Sequence, residues 1–145
     1  MTAELLFQLC SALAGAGWLL VALLPRKRWT APLVTGAIVP LLFALVYTVL
    51  IATHIGGSKG GFGTLPEVSL LFQDPWLLLA GWVHYLAFDL FIGSWEVRDS
   101  IRRGVPHWLV LPCLVLTFLF GPIGLLVYLI IRFMRTRQVA VEERI

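Results

Sequence analysis

The chain has 145 residues, of which 59% are hydrophobic and 13% charged, and its mean hydropathy is +0.91. A soluble domain carries about 25% charged residues, so an ordinary water-soluble globule is excluded and a multi-pass membrane protein remains. The formal charge of +3 comes from short basic clusters at the ends of apolar runs, as membrane helices are flanked, which argues against a nucleic-acid partner.

Four apolar segments follow in chain order: Leu5 to Leu24, Leu33 to Ile55, Trp76 to Trp95 and Leu109 to Ile131. Each is long enough to cross the hydrocarbon core as a helix. The expected fold class is therefore an all-α integral membrane protein, a single domain over residues 1–145 built as a bundle of four transmembrane helices. Glu4, in place of a lysine or arginine, precedes the first segment and Arg26-Lys27-Arg28 follows it, so the segment reads as a retained span rather than a cleaved signal. The absence of a serine-rich amphipathic leader points to a bacterial or already processed protein rather than a plastid precursor, and the expected location is a bacterial cytoplasmic membrane.

Between the second and third spans, Gly56 to Gly63 is too glycine-rich for a helix, and Leu65 to Phe72 suits a short stretch along the interface. The link from Glu96 to Trp108 carries Arg98, Arg102 and Arg103, and Gly104-Val105-Pro106 ends whatever helix precedes it. With four crossings, basic residues fall on both sides, and the early Arg26-Lys27-Arg28 cluster tilts the expectation toward both termini outside. Trp29, Trp76, Trp95 and Trp108, at span ends, read as interfacial anchors.

Asp89 is the most informative residue, because it lies in the middle of the third span, where an ionised carboxylate costs about 2.5 to 3.5 kcal/mol. At about 100° per residue, Tyr85, Asp89, Glu96, Asp99 and Arg103 share one face, a polar stripe that deepens from one interface toward mid-membrane. His84 lies about 140° away with Phe88 and Phe91, so the two can meet only through something bound between helices. A structural hydrogen bond or ion pair that locks the bundle is the competing account of Asp89.

In the fourth span, Cys113, Thr117, Gly121, Gly124 and Tyr128 form a strip of small and hydroxyl-bearing residues that permits close helix approach or a ligand-facing notch. Pro122 cannot donate to the carbonyl four residues earlier, so it should kink this fourth helix and free a backbone acceptor. Pro40, Tyr47 and His54 on the second span read as ordinary packing. The cysteines, Cys10 and Cys113, lack disulfide or zinc spacing, and three histidines are too few for a membrane di-iron oxidase. No nucleotide loop or nucleophile elbow occurs, so neither a metal nor a cofactor is expected.

The segment Trp82-Val83-His84-Tyr85-Leu86-Ala87-Phe88-Asp89-Leu90-Phe91, followed by Asp99, Pro112-Cys113-Leu114 and Phe120-Gly121-Pro122-Ile123-Gly124, resembles the abscisic-acid-deficient-four-like family of plant neoxanthin synthase. The resemblance implies a redox-neutral isomerisation in which a carotenoid epoxide opens and an allene forms. Such a step needs an acid at the ring oxygen and a base at the neighbouring polyene carbon. His84 and Asp89 are the implied pair, with Asp99 or Glu96 as a further acid. Trp82, Tyr85, Phe88, Glu96, Arg103, Thr117 and Phe120 are the implied substrate contacts.

On this reading the partners are an apolar small molecule, a carotenoid or isoprenoid, and membrane lipid. The alternative is a non-catalytic accessory or pigment-binding subunit of a larger membrane complex or homo-oligomer, in which Asp89 locks the bundle. A third reading, a small bacterial carotenoid cyclase, rests on Pro66-Glu67 and Phe72 alone.

Overall fold

The protein, seen in a computed structural model, is described over residues 2–27 and 29–137; Arg28, the last member of the early basic cluster, and the end of the expected domain lie outside the described residues. Within them all regular structure is helical. Helix α1 (Ala3–Leu23) starts where the Thr2 hydroxyl accepts the Leu5 N–H at 3.2 Å and stops before Pro25, whose ring forbids another turn.

A π-helical stretch (Thr30–Ile38) runs without a break into α2 (Val39–His54). Its wide turns have a local cause, since Pro40 has no N–H and its ring would press on the Gly36 carbonyl in a regular α-helix. The Ala31 carbonyl oxygen occupies the place where a Cβ on Gly36 would stand, so only glycine fits there. The Thr35 hydroxyl donates to the Thr30 carbonyl five residues back at 3.1 Å and accepts from Ser94 at 2.7 Å, which pins the π turn to α4.

The expected interfacial stretch is α3 (Leu65–Leu71). Thr64 caps it, and the Glu67 carboxylate accepts the Gly63 N–H at 3.1 Å, which gives this acid a local structural task. Asp74 caps α4 (Pro75–Arg102) by accepting the Trp76 and Leu77 N–H groups at 2.8 and 3.1 Å. The third apolar run is thus part of a helix that continues to Arg102 and is followed by Gly104 at φ +68°. Three helical segments are long and apolar enough to cross a membrane: Ala3–Leu23, Thr30–Gly57 and Pro75–Arg102.

Helix α4 is the axis of the fold. Its partner α1 runs parallel to it: Phe7 meets Trp82, Leu90 fits over Gly17, and Trp18 fits over Gly93. Close approach through two glycines is how apolar helices gain dispersion contact when lipid offers no hydrophobic drive. The second span runs antiparallel, with Thr35 beside Ser94, Tyr47 beside His84 and His54 stacked on Trp76.

The fourth apolar run departs from the expected kinked transmembrane helix. It is two helices, α5 (His107–Phe120) and α6 (Pro122–Thr136), separated by Gly121 at φ 51°, ψ −97°. That backbone is open to glycine almost alone, and Pro122 then suits the first turn of a new helix. Thr117 and Gly124 pack directly together across the turn. Gly121 lies against Asp89 midway along α4, while Tyr128 and Arg132 reach Asp99 near its end. The hairpin therefore returns to the end of the bundle from which α5 departs, and the small-residue strip from Cys113 to Tyr128 is buried on its inner side.

This reversal changes the charge topology. Among the described residues, every lysine and arginine except Lys59 now sits at one end, with Arg132, Arg135 and Arg137 beside Arg26, Lys27, Arg98, Arg102 and Arg103. Glu4, Glu67 and Asp74 sit at the other. The ambiguous count arose from reading the last segment as a crossing. The first and last described residues, Thr2 and Arg137, lie at opposite ends of the bundle rather than at one end together. Trp95 also departs from its expected anchor role, since it packs edge-on against Tyr128 at 5.6 Å inside the hairpin contact.

The positive-inside rule places the basic end on the non-translocated side. A single cysteine introduced at Lys59, in a background lacking Cys10 and Cys113, should react with an impermeant maleimide from the translocated side, and one at Arg135 only after the membrane is opened. Gly121→Ala should destabilise the protein by about 1–3 kcal/mol through its strained φ, read as a lower thermal midpoint in detergent.

Candidate functional site

The polar stripe of α4 resolves into three environments. At the basic end, Asp99 is 2% exposed and fully engaged: Oδ1 accepts from Arg103 Nε at 2.8 Å, while Oδ2 accepts from the Tyr128 hydroxyl at 2.7 Å and lies 2.9 Å from Arg132 Nε. Arg102 adds a longer pairing at 3.9 Å. This is a buried ion-pair cluster that fastens α6 to α4. It commits Asp99 and Arg103, both sequence-derived site candidates, to holding the hairpin.

One turn deeper, Glu96 is completely buried, and its Oε1 accepts the Thr117 hydroxyl at 3.0 Å. Its Oε2 is buried with no hydrogen-bond partner among the described residues. Glu96 and Thr117, two expected substrate contacts, thus face one another inside the protein.

Two turns deeper again, Asp89 lies at the hairpin tip. Its Oδ1 stands 2.9 Å from where a Cβ on Gly121 would be, and its Oδ2 is buried with no hydrogen-bond partner among the described residues. One turn earlier, the Tyr85 hydroxyl donates to the Phe118 carbonyl at 2.6 Å. Phe118 is four residues before Pro122, so this is the carbonyl that the proline leaves without an N–H. The freed acceptor foreseen from Pro122 exists, and Tyr85 takes it.

The hairpin ends level with Asp89, so it leaves the first half of α4 uncovered on this face. Here Trp82, Tyr85, Phe7 and Phe118 form an aromatic wall with Trp18 behind it. Ring centroids are 5.5 Å apart for Phe7 and Trp82, 5.3 Å for Trp82 and Tyr85, and 5.6 Å for Trp18 and Phe118. Trp82 is fixed by its indole N–H, which donates to Ser11 at 3.0 Å. Phe7, Trp82 and Phe118 remain 36–42% exposed, so the wall opens sideways toward lipid. Beyond Trp82 the groove widens into a cavity of about 470 Å³ between α1 and α4, lined by Phe7, Leu78 and Leu79.

His84 belongs elsewhere. It stacks on Phe88 at 4.6 Å, faces Tyr47 at 5.6 Å, and lines a separate cavity of about 210 Å³ with Ile51, Phe62 and Leu71. Asp89 is not in the wall of the cavity that His84 lines. Phe88 goes with His84, and Phe120 is an exposed residue at the hairpin tip. No three His, Cys, Asp or Glu side chains gather to hold a metal among the described residues.

Sequence reasoning missed Phe7, Trp18 and Phe118 as parts of this wall, Ser11 as the partner of Trp82, and Tyr128 and Arg132 as the residues that fasten the hairpin to Asp99. A signal existed for the last two: Gly121-Pro122 is a reversal dipeptide, and Tyr128 and Arg132 share a helix face four residues apart.

A family model described as ABA DEFICIENT 4-like matches residues 5–128, which takes in α1 through the first two turns of α6. The chain belongs to the ABA DEFICIENT 4-like family. No curated protein and no solved structure matches it. The match spans Asp89, the aromatic wall and the hairpin tip, so this arrangement lies within the family region of an ABA DEFICIENT 4-like chain.

Asp99→Asn removes the charge between Arg103 and Arg132. Breaking a buried pair costs on the order of 3–5 kcal/mol, so this variant of the ABA DEFICIENT 4-like protein should lose folded yield and its thermal midpoint, measured by fluorescence-detected gel filtration after heating.

Proposed function

We propose that this ABA DEFICIENT 4-like protein is an intramembrane acid/base isomerase of an epoxy-carotenoid or a related isoprenoid. The observation that carries the reading is the unpartnered carboxyl oxygen of Asp89 at the deep end of an aromatic groove open to lipid. A polyene lies along Phe7, Trp82 and Tyr85, and its oxygenated ring end reaches Asp89 beneath the hairpin tip.

The separation of His84 from Asp89 simplifies the chemistry. Asp89 in its protonated form gives its proton to the epoxide oxygen as the ring C–O bond breaks. Its second oxygen takes a proton from the adjacent polyene carbon, whose C–H electron pair becomes the new allene double bond. Proton and electron counts balance within one carboxyl group, and no oxidant is consumed. Tyr85 is a positioning residue, tethering α4 to the Phe118 carbonyl so that Asp89 stays at the tip. Glu96 and Thr117 hold the hairpin, and the Asp99 cluster sets its depth.

The test is turnover of a 5,6-epoxy-carotenoid by the full chain in liposomes, followed by chromatography of the pigments. General acid–base catalysis contributes about 10²–10⁴-fold, so Asp89→Asn should lose at least about 100-fold in rate while its thermal midpoint stays near the parent value. His84→Ala should keep most of the activity. Retained turnover in Asp89→Asn would sink the proposal. Stoichiometric bound pigment with no turnover in the parent protein would favour the pigment-binding accessory reading.

A further inference from the structure

A second cavity, at the basic end and remote from Asp89, has a different chemistry. It encloses about 360 Å³ between the turn that leaves α1 and the last turns of α4, within the range of small-molecule sites, about 300–1,000 Å³. Arg26, Lys27, Arg98 and Arg102 converge on it, while Pro32 and Ile101 supply an apolar wall. Among the described residues no carboxylate lines it. The nearest acids on α4 are engaged already, Asp99 with Arg102, Arg103, Arg132 and Tyr128, and Glu96 with Thr117, and neither pairs with Arg98, Arg26 or Lys27 among the described residues.

The convergence is built from two segments far apart in sequence. Pro25 ends α1, and the bonds from Lys27 N–H to the Leu24 carbonyl (3.2 Å) and from Thr30 N–H to the Lys27 carbonyl (3.1 Å) fix the turn that carries Arg26 and Lys27. Arg98 lies across Gly36 of the π-helical stretch, its Nη1 3.6 Å from where a Cβ there would be. Arg98 and Arg102 stand four residues apart on one helix, where like charges repel. Arg98, Arg26 and Lys27, gathered around one hollow at the end of the spans, favour an anion between them, and guanidinium groups suit the oxygens of a phosphate. The apolar side of the cavity continues onto exposed Ile101 and Leu33, as a chain-bearing ligand needs.

We propose that this cavity binds the phosphate of an anionic membrane lipid, with the phosphodiester between Arg98 and the Arg26–Lys27 turn and an acyl chain along Ile101. Basic pockets on the non-translocated face of helical bundles are suited to such headgroups. The site is independent of the isomerase reading and stands or falls without it.

The experiment is native mass spectrometry of the detergent-purified full chain titrated with phosphatidylglycerol, phosphatidylcholine or inorganic phosphate. The parent protein should retain phosphatidylglycerol in preference to phosphatidylcholine. Arg98→Gln, and separately the turn variant Arg26→Gln/Lys27→Gln, should each lose roughly fivefold or more in retention per cation removed. Arg135→Gln, basic and at the same end but outside the cavity, should keep the parent preference. The turn variant alters no helix, so it serves if Arg98→Gln does not fold. Equal retention in the cavity variants and Arg135→Gln would overturn the proposal, leaving the cations a purely topological role. Displacement of phosphatidylglycerol by millimolar inorganic phosphate would overturn the lipid as occupant and assign the hollow to free phosphate.

Discussion

A buried carboxylate, Asp99, held by Arg103, Arg132 and Tyr128, is the interaction on which the rest of this fold depends. In a hydrocarbon setting a charge is tolerated only where protein or water satisfies it, so bringing Arg132 into the bundle requires an acid at its level. Asp99 meets that requirement because α6 runs back alongside α4. The ion-pair cluster and the reversal at Gly121 are thus one structural decision seen from two ends.

Three consequences follow from the hairpin stopping level with Asp89. The first half of α4 is left uncovered beside α1, which creates an aromatic groove with lateral access from lipid. A carboxyl group is held at the groove's deep end with an oxygen that no described residue satisfies. Helix α6 also ends on the basic side, so the cations of the described residues other than Lys59 form one topological signal. A continuous fourth span would have covered the groove and split the charges between both faces.

The stripe of acids on α4 shows how similar residues acquire different tasks. Asp99, Glu96 and Asp89 share a helix face, yet the first is paired with cations, the second meets the Thr117 hydroxyl, and the third lies beside the Tyr85 hydroxyl with its Oδ2 left open toward the hairpin turn. What differs is the element opposite each. The end of α6 brings arginine, the middle of α5 brings threonine, and the turn between them brings glycine, which has no side chain to offer. The absence of a Cβ at Gly121 is what gives Asp89 its room.

The apolar runs and the polar face of α4 were legible from residue order, because helix periodicity is a local property. So was the carbonyl that Pro122 releases, since a missing N–H has a fixed partner four residues back. Whether Gly121-Pro122 bends a helix or reverses it was not local, because both outcomes satisfy the same dipeptide. The choice rests on Arg132 and Tyr128 finding Asp99, a contact of 29 to 33 residues' separation that no short-range pattern encodes. The same reason explains His84: its angle from Asp89 was readable, but that α2 and α3 would enclose it apart from the hairpin depended on which helices pack on each face of α4. Sequence determined the helices and the acid face; tertiary packing decided which acid stayed open, because satisfaction of a buried polar group is a property of its neighbours.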